Sequence, residues 1–177
     1  MVAFQKLDWT RLDTFALVKG RGLASLELGS WQQALDWLQS QSYKGIRLDF
    51  SAGISPVVAR LGVMLNWERE FGYQLDGTSR NLSALHDGFD FQPLEDGGLV
   101  LELTGFETAF SEDSQWCAGF LAIIMEHSIR QLALGRRFFA LMALNTSESP
   151  LIGTNVEQLC VPYPFPFREL PSRGKTR

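Results

Sequence analysis

A chain of 177 residues, 45% hydrophobic, 12% aromatic and 20% charged, has enough apolar side chain to bury one sizeable core and too much to be disordered or collagen-like. Its net charge of -4 singles out no partner, and two cysteines, Cys117 and Cys160, are too few for a disulfide scaffold. No apolar run approaches the ~18 residues of a spanning helix and Met1–Asp8 lacks the order of a signal peptide, so a cytoplasmic protein that does not cross a membrane is expected.

In chain order, Thr14–Val18 and Leu23–Leu28 flank the turn Lys19-Gly20-Arg21-Gly22 and predict a hairpin. Ser30 and Gln33 form a capping-box pattern ahead of Trp31, Ala34, Leu35 and Leu38, which share one helical face. This helix should end near Tyr43–Gly45. Ile46–Phe50 alternates with period two and predicts a strand. Ser55-Pro56 then supplies an N-cap and an N1 proline for a helix through Val57, Val58, Leu61, Met64 and Leu65 to about Trp67.

Phe71–Ser79 has turn composition and predicts a loop. Leu82, Leu85 and Phe89 recur at three and four residues, predicting a short amphipathic helix over 81–91 with Ser83, His86, Asp87 and Asp90 on its other face. After a break at Pro93–Gly98, Leu99–Leu103 reads as a buried strand. Ser111–Asp113 opens one long helix through Trp116, Phe120, Ile123, Ile124 and Leu132 to a terminating Gly135, and Phe138–Leu144 is the last buried strand.

Strands alternating with helices predict an α/β fold with a mainly parallel sheet and helical crossovers, extended by the N-terminal hairpin and helix. Three stretches follow from this: residues 1–44 as an extension packed on the main domain, 45–145 as the main domain, and 146–177 as a tail. In the tail, Pro162, Pro164 and Pro166 alternate with aromatics, which favours an extended segment that either packs on the domain or serves as a ligand for another protein.

Charge is unevenly distributed. Between Arg80 and Arg130 there is no Lys or Arg, while Asp87, Asp90, Glu95, Asp96, Glu102, Glu107, Glu112, Asp113 and Glu126 all fall there. Such a stretch attracts cations or a basic protein and repels phosphate backbones, so direct nucleic-acid binding is not expected; the alternative is a solvated face with partners elsewhere in the chain.

Little points to catalysis. Ser83, His86 and Asp87 on one short helix point the same way instead of converging on a substrate, and His86, Asp90 and His127 have no metal-ligand spacing. The Gly-rich turns do not run from a strand into a helix N-terminus as a phosphate loop does. A non-enzymatic protein without metal or cofactor is expected.

The segment Asn81-Leu82-Ser83-Ala84-Leu85-His86-Asp87 resembles the Asn-Leu-Asp-Ala-Leu-Trp-Asp pattern of the barstar family, intracellular inhibitors of barnase-type ribonucleases. The ordered elements from Gly45 to Asn145 are similar too, over about 100 residues of the 177. The resemblance implies a barstar-like domain that blocks a basic ribonuclease or toxin with an acidic helix and its preceding loop, carboxylates standing in for RNA phosphates. By position, Asp87 matches the deeply inserted motif aspartate. Asn81 would fix the loop or contact the partner, and Leu82 would be a rim contact or core. Asp90 would be a rim charge, and Glu126 or His127 would match a glutamate on the long helix. Ser83 and His86 replace the family's first aspartate and its tryptophan. The loop Phe71–Arg80 is longer than the family's, and Arg80 would repel a basic cleft unless Asp76 or Asp87 pairs with it. The rival expectation is a non-inhibitory interaction or regulatory module on the same fold.

Overall fold

The computed structural model describes residues 10–78, 80–90, 97–145, 149, 151, 155–156 and 159–160. A helix α1 (Leu12–Thr14) runs into a π-helical turn (Phe15–Lys19), followed by β1 (Leu23–Glu27), α2 (Trp31–Ser40) and β2 (Tyr43–Asp49). Next come α3 (Ile54–Met64), α4 (Trp67–Phe71), α5 (Leu82–Gly88), β3 (Gly98–Thr104), α6 (Phe106–Glu112), α7 (Ser114–Ala133) and β4 (Arg137–Leu144). A short antiparallel pair, β5 (Asn155–Val156) and β6 (Leu159–Cys160), closes the described chain. Most of the break around Pro93, the proline-aromatic segment after 160 and the Cys160 side chain lie outside the described residues.

β1 to β4 form one all-parallel sheet in the order β1-β4-β3-β2, so the chain is α/β as expected. The central strands β3 and β4 are mostly apolar because helices cover both faces, with Glu102, Thr104 and Arg137 as the exceptions. On one face Leu99, Leu101, Leu103, Phe138, Ala140 and Met142 meet Val57, Val58 and Leu61 of α3 and Phe120 and Ile124 of α7. On the other, Val100, Phe139, Leu141 and Ala143 meet Leu12, Ala16, Trp31, Ala34 and Leu38. Cys117 is buried in the first of these cores.

The expected N-terminal hairpin is corrected. Thr14–Val18 is helical, and β1 pairs in parallel with β4, in the register Leu23 to Ala140. Leu12, Ala16 and Leu17 all bury in the same core, and the adjacent pair Ala16 and Leu17 can share a face on a helical backbone but would point to opposite faces of an extended one. Phe71 belongs to α4 instead of a loop, and the long helix begins at Ser114 behind Asp113 (φ -154°, ψ 89°), while Ser111 and Glu112 belong to a separate short helix, α6, absent from the expected elements.

Helix ends also differ in instructive ways. α3 starts at Ile54, not at Pro56, and Ser55 is not its cap; the Ile54 amide donates to Glu112 Oε2 at 3.0 Å, from 58 residues downstream. Ser30 likewise makes no side-chain cap at α2. Local cues at α7 hold: Asp113 Oδ1 accepts from the Trp116 amide at 2.9 Å, and Gly135 takes a left-handed φ of 76° just past the helix.

Gly105 sits at the turn from β3 into α6 with φ 64°, and a methyl group there would lie 2.6 Å from the Ser51 amide nitrogen. That neighbour is backbone and cannot swing away. Gly105→Ala is expected to cost about 1–3 kcal/mol, read as a lower urea midpoint with an unchanged slope.

Candidate functional site

The short helix α5 begins where the sequence indicates. Asn81 Oδ1 accepts from the Ala84 amide at 3.1 Å, the side-chain cap that a short helix needs at its free amides. Leu85 and Phe89 are fully buried, Phe89 against Phe120 and Phe138, and Leu82 is partly buried against the same core. Leu82 is therefore a core contact at the edge of the site. It packs over Gly119 of α7, whose missing Cβ makes room for its methyl group.

Between α5 and α7 lies an open groove of about 350 Å³, lined by Leu82, Ser83, His86, Asp87, Gly119, Ala122, Ile123 and Glu126. Its floor is small and apolar and its rim is polar. The Asp87 side chain is 73% exposed and that of Glu126 56%. His86 lies between them, with Nε2 3.1 Å from Glu126 Oε2 and Nδ1 3.6 Å from Asp87 Oδ1. Ser83 is exposed on α5, and Asp90 is exposed just past its end, since the helix stops at Gly88 and does not reach the expected residue 91. No Lys or Arg lines the groove.

Of the two candidates on α7, Glu126 reaches this surface and His127 does not. His127 is 1% exposed, its Nε2 donates to the His86 carbonyl at 3.1 Å, and its ring packs 5.8 Å from Phe89. It is a buried tie between α7 and α5, and no partner contact falls to it.

The loop residues are tied down differently from expectation. Asp76 Oδ1 accepts from the Thr78 amide at 2.9 Å and from its hydroxyl at 2.6 Å, so this carboxylate shapes the turn. Arg80 pairs with neither Asp76 nor Asp87; its guanidinium donates to Glu112 and, at 3.1 Å, to Asp113 Oδ2. The Trp116 amide and, less strongly, Arg80 hold the Asp113 carboxyl below its usual range. Glu112, already the cap of α3, thus ties the entry of α5 to the junction between α6 and α7.

This sorts the acid-rich stretch. Glu102 pairs with Arg47 at 3.4 Å, Glu112 and Asp113 pair with Arg80, and Glu107 accepts from Asn145. Asp87, Asp90 and Glu126 have no Lys or Arg within ion-pair distance among the described residues. Sequence reading missed Glu112 and Asp113 as partners of Arg80, and Gly119, Ala122 and Ile123 as groove floor. A glycine and an alanine three apart in an apolar helix were the available signal.

His86 and His127 do come together, with ring centroids 5.0 Å apart, but no group of three or more His, Cys, Asp or Glu among the described residues is arranged to hold a metal ion. Ser83, His86 and Asp87 follow one another along a single helix, so they lack the convergence of a nucleophilic triad. No described helix is long and apolar enough to cross a membrane. Comparison with family models, with curated proteins and with solved structures returned no match.

Proposed function

We propose that the chain is a non-catalytic, barstar-like inhibitor that acts in the cytoplasm by binding the active site of a basic ribonuclease or toxin. One observation carries this reading. The α5–α7 groove presents two exposed carboxylates, Asp87 and Glu126, with no cation along it, while most of the neighbouring acids are consumed inside the fold. Arg80, the residue that would oppose a basic cleft, is neutralised by Glu112 and Asp113 and so raises no objection. Surface carboxylates grouped without counter-ions destabilise a free protein slightly and speed its encounter with a cationic partner.

The test is direct. Mixed with a small basic ribonuclease of the barnase type, the protein should suppress RNA hydrolysis stoichiometrically. Its association rate should fall about tenfold or more between roughly 0.05 and 0.5 M salt, because steering is screened once the Debye length drops well below ~10 Å. A salt-independent rate, or no complex, removes the electrostatic basis of the proposal.

A second reading is a non-inhibitory interaction or regulatory module on the same fold. Ser83 and His86 favour it, since they stand at the motif positions of an acid and an aromatic anchor and leave the α5 face less acidic and less apolar. Binding without inhibition would select it.

A further inference from the structure

His127 offers nothing to the groove, yet it puts an ionisable ring where an apolar residue would pack. The His86 carbonyl can only accept, so His127 Nε2 carries the proton and Nδ1 of the neutral ring is bare. That bond, together with the contact of His86 Nε2 to Glu126 Oε2 at 3.1 Å, joins α7 to the last turn of α5, a helix of seven residues and too short to persist alone in water. We propose that His127 is a pH-dependent latch on α5: its neutral ring holds the last turn of α5 against α7, and a proton taken up at Nδ1 loosens it, because the charged ring keeps its Nε2 bond to the carbonyl but is costly to leave buried.

The groups around the ring give the sign. From α5 come the His86 ring, with Asp87 beyond it, and then Phe89 as an apolar wall; from α7 itself come Glu126 and Arg130. Burial opposes the charge most strongly, the His86 ring and Arg130 also oppose it, and the His86 carbonyl and Glu126 favour it. The net effect holds the His127 imidazole below the ordinary histidine range. Once α5 lifts, the ring meets water and takes up a proton at any pH below about 6.5, so opening is favoured as pH falls through that value, by up to about tenfold per pH unit. The effect belongs to the free chain and does not depend on the inhibitor reading.

Hydrogen exchange on the full chain, corrected for intrinsic rate, tests the latch. From about pH 7.5 to about pH 5.5, protection of the Leu85–Phe89 amides should fall at least about threefold relative to Leu101 and Leu103 of β3. His127→Gln keeps a donor for the carbonyl without titrating and should abolish the fall, whereas His86→Gln should retain it. Constant protection in the wild type, a fall that persists in His127→Gln, or one lost in His86→Gln overturns the latch. Should His127→Gln fail to fold, the proton resonances of His127 in the wild type decide. A titration midpoint below the ordinary histidine range that coincides with the loss of α5 protection supports the latch, and a midpoint at or above that range overturns it.

Discussion

Asp13→Ala is expected to lower folding stability by about 3 kcal/mol. The Asp13 side chain is 5% exposed and gathers four partners. Arg11 donates Nε and Nη2 at 3.0 and 2.8 Å, the Thr14 amide donates at 2.8 Å, and the Tyr43 hydroxyl donates at 3.3 Å. Arg137 of β4 approaches to 3.9 Å while lying over the Tyr43 ring. These residues join α1 to β2 and β4, so the carboxylate pins the N-terminal layer onto the sheet. Arg11 can turn to water when Asp13 is lost; the buried Tyr43 hydroxyl and Thr14 amide have no such escape, and they account for most of the cost. Asp13→Asn keeps an acceptor and should lose about half as much. Burial, and then the Asp13 charge, push the Tyr43 phenol well above its ordinary value. The unfolded chain therefore releases this proton first, and stability should decline as pH rises beyond about 10. Urea melts across that range, compared with Tyr43→Phe, check both statements: the high-pH decline should shrink in the variant, and an unchanged decline would remove Tyr43 as its cause.

The elements whose signal is local were legible in the sequence. β3 and β4 are largely apolar runs of strand length, α5 has inward residues at three and four, and α7 has Asp113 in front and Gly135 behind. Contacts across long separations were not. Thr14–Val18 is rich in residues that suit a strand, and only its docking onto Val100, Phe139 and Leu141 makes it helical. β1 joins β4 across more than a hundred residues, which no local pattern encodes. The start of α3 illustrates the same limit: Ser55 looks like a cap, but Glu112 supplies one from another helix. The candidate site divides along the same line. Asn81, Asp87 and His86 follow from one short segment, whereas the approach of Glu126 to His86, the burial of His127 and the capture of Arg80 depend on how α5 meets α7.

Asp87→Ala is expected to weaken binding of a barnase-type ribonuclease by about 3–5 kcal/mol, mostly through faster dissociation. The side chain is 73% exposed in the free protein and stands beside an apolar floor, so a partner's arginine or lysine brought against it would be largely desolvated. Removing the carboxylate leaves that cation buried without a counter-charge, which costs more than the pair itself contributes. Stability should barely change. Asp87 lies in the last turn of α5, where a negative charge meets the negative end of the helix, so its loss should leave melting unchanged or slightly raise it. Asp90 is exposed just past the helix and does not line the α5–α7 groove, and Asp90→Ala should cost under about 1 kcal/mol. Glu126→Ala should fall between the two, because it removes one groove carboxylate and also releases His86. Calorimetry and surface kinetics beside thermal melts distinguish the cases. A loss at Asp87 no larger than at Asp90 would mean that the acidic helix only faces water, and would leave the groove without a role in binding.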